Sequence, residues 1–324
     1  MNLDNVKIDG VYRFFINDEL VSEQKNALTE TGRLVAIKSL LGIIPDFADS
    51  IAYGISSESN TLNSASTLIT NNILDFEIGR TEVVTSTYEV SGSNDVLVYT
   101  GTINDAYQYS IYEVGLFPSN GLNKSVTLDG SLLFNFDNLD RFIKYGTYTS
   151  ASLTTASPAR IGAVMLCLPQ GDGTTNYLES LVDQTTFISM KFMGSKDLVK
   201  LALFNISSTE GASVNFRFFT DDSNYYTLGF VSPATASYHV VSVEKGSAST
   251  VGAPDWNNIN KIRIWNLSAS TAYLDGLKTD FGSYYIDATT GMISRATLAT
   301  PVFKPSSVPV NIQYSLIVNF NGGV

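Results

Sequence analysis

Few residues in this chain have the type and spacing for covalent chemistry. There is one cysteine, Cys167, and one histidine, His239. Cys167 lies within the continuous apolar run Ile161–Leu168, which reads as a buried, inert thiol rather than an accessible thiolate. His239 lies in the alternating stretch Ser237–Val243 with no serine or cysteine motif beside it, and reads as a structural or surface histidine rather than a catalytic base. A single cysteine also excludes internal disulfides and cysteine-cluster zinc sites. Glycan cleavage would want two carboxylates about 5–9.5 Å apart in a groove. No long β-helical repeat or paired-carboxylate motif supplies them, and Asp221-Asp222 reads as a hairpin turn. The expectation is a protein without catalytic activity, with a glycan-cleaving spike as the enzyme alternative.

Non-covalent recognition is better provided for. Aromatic rings stack on the C–H faces of sugars while nearby Asn, Asp or Arg groups take the hydroxyls. Tyr225, Tyr226, Trp256 and Trp265 are candidates, each with core packing as its alternative. Trp256 is expected to be partly exposed ahead of a strand, and Trp265 to be core or interface. The formal charge is −11 and no Lys/Arg cluster occurs, which argues against a nucleic-acid partner and speaks to solubility rather than to fold. The start of the chain lacks a basic, apolar leader, and no uninterrupted run of 18 apolar residues occurs, so neither secretion nor membrane insertion is expected.

These residues need a scaffold, and 324 residues with 44% hydrophobic content and 16% charge suffice for two folded domains. Thr29 can cap a helix over about 30–41, with Glu30 at the positive end of its dipole and Gly42 able to adopt a left-handed C′ conformation. Leu34, Ile37 and Leu41 fall on one side of that helix and are expected to pack on sheet. Val96–Ile103 and Gln108–Phe117 read as strands around the turn-prone Asn104–Ala106. Glu113 reads as a solvent-facing strand residue. Its functional alternative is a salt bridge fixing a loop or subunit contact, with Arg80 as partner.

After a polar, linker-like stretch at 146–155 come strand-like runs at 161–168, 186–193, 198–206, 213–220, 225–231, 237–244, 260–267 and 271–277. Turn-forming segments such as Gly194–Asp197, Ser208–Gly211, Thr220–Asn224 and Glu244–Ser249 punctuate them. Val214, Phe216 and Phe218 alternate with Asn215, Arg217 and Phe219, so one face is directed at a core. The pattern predicts a β-sandwich of the jelly-roll kind. Pro301–Pro309 reads as an extended connector, and Val310–Phe320 as a final strand.

Two resemblances add to this. Leu28–Gly42 (LTETGRLVAIKSLLG), Ile51–Gly54 (IAYG), Ile78–Glu82 (IGRTE) and Tyr109–Phe117 (YSIYEVGLF), in that order, resemble the amino-terminal attachment domain of bacteriophage tail-fibre and tail-collar proteins. The likeness spans roughly residues 10–120, and a closing strand such as 310–320 is also typical of that family. Trp256–Trp265 (WNNINKIRIW) followed by Thr271–Leu277 (TAYLDGL) resembles the last two strands of jelly-roll carbohydrate-binding modules. In that class a carboxylate near Asp275 often helps hold a structural calcium ion; a capped turn explains Asp275-Gly276 equally well.

Together the resemblances imply a mainly β protein with an α+β first domain, 1–145 plus 281–324, and an inserted jelly-roll β-sandwich, 146–280. Three consecutive units are the competing layout. The expected role is that of a virion structural protein, docked through the terminal domain and displaying the sandwich for host-surface or glycan recognition. Expected partners are other virion proteins, further copies of the chain (a trimer, by the family's habit) and a host surface polysaccharide. A capsid or neck decoration protein binding only virion proteins is the alternative without sugar affinity.

Overall fold

A computed structural model describes residues 6–41, 47–57, 74–92, 94–118, 132–155, 159–181, 198–280 and 292–320. The strands in chain order begin with β1 Val6–Ile16, β2 Glu19–Leu28, β3 Ser50–Ile55, β4 Phe76–Glu82, β5 Thr85–Ser91, β6 Asn94–Ile103 and β7 Tyr109–Phe117. They continue as β8 Leu132–Phe134, β9 Ile143–Tyr145, β10 Ser152–Thr154, β11 Met165–Leu168, β12 Tyr177–Leu181, β13 Leu198–Asn205 and β14 Ser213–Asp221. The last are β15 Asn224–Val231, β16 Tyr238–Glu244, β17 Ser249–Val251, β18 Lys261–Asn266, β19 Ala272–Asp280, β20 Ser294–Lys304 and β21 Val310–Phe320. A single α-helix, α1, spans Glu30–Leu40 among the described residues. The chain divides into two compact units: Met1–Ser56, Asn60–Thr127 and Tyr284–Val324 form one, and Ser57–Ser59 with Leu128–Ser283 forms the other.

In the first unit two antiparallel sheets, β4-β3-β7-β20 and β2-β1-β21-β6-β5, join where Ala27 and Leu28 pair with Arg295 and Ser294. The carboxy-terminal β21 lies centrally, between β1 and β6. Thr29 caps α1 by accepting from the Gly32 amide at 2.9 Å, and its own hydroxyl reaches the Ile293 carbonyl. Gly32 lies so close to that segment that a Cβ would stand 2.1 Å from the Ile293 oxygen. Val35 is buried, whereas Leu34, Ile37 and Leu41 are 37, 55 and 68% exposed. The helix therefore docks through a small-residue face and its cap, not through the apolar stripe expected to carry it. Backbone can approach backbone only where a side chain is missing, so glycine chose the face.

Glu113 needs a larger correction. It is fully buried, and it accepts from the backbone amides of Asp75 and Phe76 at 3.0 and 2.9 Å. The solvent-facing reading is thus overturned, and the ion pair of Glu113 is with Arg295 on β20, at 2.6 Å, not with Arg80, the partner named in the alternative reading. Arg80 is also buried; it is engaged by Glu77 at 2.6 and 3.0 Å and stacks 3.7 Å from the Phe117 ring centre. A period-two pattern assigns sides to a strand, but here both sides of β7 are covered, so the polar side is interior too.

The second unit is a β-sandwich. One sheet runs β10-β11-β19-β13-β16 with β8 on β19, and the other runs β17-β15-β14-β18-β12-β9. Numbering the main strands β11–β16, β18 and β19 from one to eight gives sheet orders 1-8-3-6 and 2-7-4-5, the jelly-roll arrangement of two Greek keys. A single core joins the two, with Leu166, Val199, Leu201, Leu203 and Leu274 from one sheet and Leu178, Val214, Phe216, Phe218, Ile262 and Ile264 from the other. The unit begins near Leu128, earlier than the expected 146, because β8 and β9 pair within its sheets.

The stretch read as a linker is also structural. Gly146–Ser150 forms a 3-10 turn that buries Tyr148, whose hydroxyl accepts from the Asn266 amide at 2.7 Å, and Ser152–Thr154 pairs with β11. Short Ser/Thr-rich strands carry too few apolar residues to show a period. Strand β12 was not anticipated either, while the run at 186–193, the turn Gly194–Asp197 and Gly42 lie outside the described residues.

Replacing Arg295 with Met should cost about 3–5 kcal/mol in urea unfolding of the first unit, because it strands a buried carboxylate. Burial pushes the Glu113 carboxyl up to about 7 against the opposing pull of Arg295. A carboxyl raised above its unfolded value, about 4.3, stabilises fully below that value and loses the contribution as pH rises through the folded one. Without Arg295 the folded value climbs further, so the stability deficit of the variant should stay level below about pH 7, the parent's folded value, and widen as pH rises above it. A deficit independent of pH would count against this account.

Candidate functional site

The outward face of the β17-β15-β14-β18-β12-β9 sheet carries the chemistry. Val214, Phe216 and Phe218 of β14 point into the core, so Asn215, Arg217 and Phe219 point away from it. Cross-strand pairing places Trp265, Arg263 and Lys261 of β18 beside those three, and Gly229, Thr227 and Tyr225 of β15 on their other flank. Farther along β18, Glu179 stands opposite Arg263, and Tyr177 pairs with Tyr145 of β9.

This face is a ladder of aromatic rings and cations. The Arg263 guanidinium lies 3.7 Å from the Tyr177 ring centre, and Tyr177 stacks on Tyr145 at 4.5 Å. Arg217 lies 4.3 Å from the Tyr225 ring and 4.9 Å from that of Trp265, and Lys261 lies 4.7 Å from Phe219. The two arginines are not equivalent. Arg263 is satisfied by Glu179, at 2.9 and 3.2 Å, and by the Gly173 carbonyl at 2.8 Å. Arg217 makes one long hydrogen bond, Nε to Thr227 at 3.4 Å, so its terminal nitrogens remain free among the described residues. Burial lowers its basicity.

Asn215 and the hydroxyls of Tyr225 and Tyr145 likewise make no hydrogen bond among the described residues. Free donors beside a half-buried ring are the elements of sugar recognition. Phe219, Trp265 and Tyr177 are buried beneath the cations and form the floor of the face. Over Trp265 a Cβ on Gly173 would stand 2.6 Å from the indole, so glycine, at φ +70, lets the 170–176 loop close down on that ring.

Of the four aromatic candidates, Tyr225 and Trp265 belong to this face, Trp265 as part of its buried floor. Tyr226 points the opposite way, where it stacks on Trp256 at 4.1 Å with planes 8° apart and donates its hydroxyl to the Pro254 carbonyl at 2.7 Å. Trp256, in the 3-10 turn Trp256–Asn258, also leans on Phe218 at 5.3 Å and is half-buried. The pair packs against the sandwich core. Arg217 and Asn215 were visible as outward residues in the alternation of β14, but their pairing with β15 and β18 was not.

Asp275 is buried within β19, where Ala202 and Leu203 pair with Gly276 and Leu274 and leave it as a bulge. Its Oδ2 accepts from the Arg160 and Ile161 amides at 2.9 and 3.1 Å and from the Tyr238 hydroxyl at 2.5 Å; its Oδ1 has no partner. Asp137 accepts from the backbone of Ala163 and Val164, and one of its buried oxygens is also unsatisfied. Two carboxylates thus converge on the 160–164 segment, each with one oxygen unused. Among the described residues no group of three or more His, Cys, Asp or Glu gathers to hold a metal. Calcium accepts backbone oxygens as well, and Asp137 and Asp275, each with an unused buried oxygen, are the carboxylates that would hold such an ion.

Cys167 is half-buried, and burial raises its thiol. His239 is buried at 3% exposure, with Nε2 3.1 Å from both the Thr235 and Ser237 hydroxyls. No helix among the described residues is long and apolar enough to cross a membrane.

Neither a protein-family model nor a curated protein sequence matches the chain. Among solved structures, about half of it resembles carbohydrate-binding modules. The CBM22-1–GH10 modules of Clostridium thermocellum xylanase 10B, complexed with xylohexaose, align at 12% identity over 48% of this chain and 28% of that one, with a TM-score of 0.31. The Clostridium thermocellum family 11 module, in complex with a β-1,3-1,4-mixed-linked tetrasaccharide, aligns at 12% identity over 46% and 94%, with a TM-score of 0.32. A weaker likeness is to infectious bursal disease virus, Gx strain, at 13% identity over 99% and 69%, with a TM-score of 0.21. Likenesses at these scores carry no functional argument.

The calcium fit has a thermal test. Millimolar calcium should raise the melting temperature of the full chain and a chelator should lower it, and Asp137→Asn should abolish the difference. No calcium response in the parent chain would remove the ion from the account.

Proposed function

We propose that this chain is a non-catalytic bacteriophage virion protein, docked through the first unit and presenting the sandwich to a host-surface polysaccharide. The observation that carries the recognition half is the outward face around Arg217, with free guanidinium and amide donors beside the accessible ring of Tyr225. A sugar ring laid on Tyr225 would have Arg217 as the donor for its hydroxyls, while Asn215 and Tyr145, farther along and across the sheet, would serve other residues of a saccharide chain. The virion half rests on the sequence resemblance at 28–117 and the closing strand at 310–320.

One feature of the first unit supports assembly with other proteins. Strand β5 is exposed along its whole length at a sheet edge, with Tyr88 and Val90 at 62 and 66% exposure. An open edge bearing apolar side chains favours pairing with another chain. Repeated copies on a particle would strengthen weak sugar contacts through avidity by about 10²–10⁴.

A glycan array probed with a multivalent display of the full chain tests the reading. Arg217→Ala and Tyr225→Ala should each weaken binding by about tenfold or more, each removing roughly 1–2 kcal/mol of contact. Trp256→Ala should spare binding and instead lower stability by up to about 3 kcal/mol, because its ring is used in packing. If no glycan binds in multivalent form, or if only Trp256→Ala weakens binding, the outward face is not the site.

A further inference from the structure

The first unit carries a second recessed surface that the proposed function does not use. It is an open groove of about 520 Å³ lined by Phe15, Asp18, Val84, Thr85, Thr100, Asn311 and Gln313, within the roughly 300–1,000 Å³ of ordinary ligand clefts. Register explains the convergence. Gln313 of β21 pairs with Thr100 of β6, which pairs with Thr85 of β5, and Phe15 of β1 pairs with Asn311. Cross-strand partners share a face, and Asn311 and Gln313 are two residues apart, so all five side chains share one side of the sheet.

The hydrogen-bonding capacity of this groove is almost wholly unspent. Thr102 donates to the Asn311 Oδ1 at 2.8 Å, which leaves that amide's N–H groups free. Gln313, Thr85, Thr100 and Asp18 make no side-chain hydrogen bond among the described residues, and Phe15 has no ring partner there. Asp18 reaches the groove from the tight β1–β2 turn, where Asn17 and Asp18 have φ of 51 and 64. Glycine is the least strained residue at such positions; aspartate there adds a carboxylate to the groove at a conformational cost.

We propose that this groove binds a neutral saccharide, independently of the sandwich face. A single aromatic ring flanked by amide, hydroxyl and carboxylate groups matches the apolar faces and hydroxyl rims of a pyranose. No cation among the described residues lines the groove. Arg13, beside Gln313 on the neighbouring strand, is held by Glu23 at 2.7 Å, and Asp18 repels anions, so acidic sugars are excluded.

The test is saturation-transfer NMR on the full chain with glucose, galactose, N-acetylglucosamine and their β-linked disaccharides as probes. At least one should give transfer that survives Arg217→Ala, which disables only the sandwich face. Gln313→Ala should weaken that binding about tenfold, the scale of one or two lost hydrogen bonds. Thr85→Trp, which fills the groove and removes no core contact, should abolish it, with an unchanged melting temperature certifying the fold. Absence of transfer from every probe, or transfer that Arg217→Ala removes and Thr85→Trp spares, overturns the proposal. So does sedimentation showing that Thr85→Trp dissociates an oligomer of the parent chain, because the groove would then be a protein contact.

Discussion

The buried contact between Arg295 and Glu113 is the interaction on which the first unit depends. One guanidinium sits between two carboxylates, 2.6 Å from Glu113 and 3.1 Å from Asp75. Glu113 in turn fixes the backbone entering β4 through two amides. An uncompensated charge at this depth would cost several kcal/mol, so β7, β20 and the start of β4 are held to one arrangement. Gly54 belongs to the same constraint, since a Cβ there would stand 3.0 Å from Glu113 and 2.3 Å from the Phe76 carbonyl. With β20 fixed, the segment before it supplies the carbonyls that receive Thr29, and β21 continues from it into the centre of its sheet.

The sandwich distributes its charges differently. The cluster between its sheets is built of apolar residues, and Arg217, Lys261 and Arg263 lie on the outside of one sheet against aromatic rings. Cation–π contacts of this kind contribute about 0.5–2 kcal/mol each, and they shield from water the rings of Phe219, Trp265 and Tyr177. The arrangement also separates structural from available groups. Arg263 has its donors taken by Glu179 and Gly173, whereas Arg217 is oriented by two rings with its terminal nitrogens unspent. A donor held by stacking rather than by hydrogen bonds is positioned in advance and loses little freedom on binding.

Much of the scaffold was readable in the residues because local rules dictated it. The Thr29 cap, the alternation of Val214–Phe219, the Asp221–Asn224 turn and the closing strand at 310–320 each follow from propensity and period over a few positions. The short strands β8, β9, β10 and β17 did not announce themselves. Three-residue strands are too short to display a period and form because neighbouring strands offer them free backbone groups.

The sequence by itself therefore determined a mainly β chain, the jelly-roll pattern of its middle, and which β14 residues face outward. Tertiary structure alone decided that Glu113 is interior and meets Arg295, that Leu34, Ile37 and Leu41 are turned to solvent, and that Tyr226 and Trp256 satisfy each other. It also decided which of two arginines keeps its donors free. The physical reason is common to all four. Burial and pairing are properties of the space between elements distant in the chain, and residues 113 and 295, or 226 and 256, have no local signal that records the other.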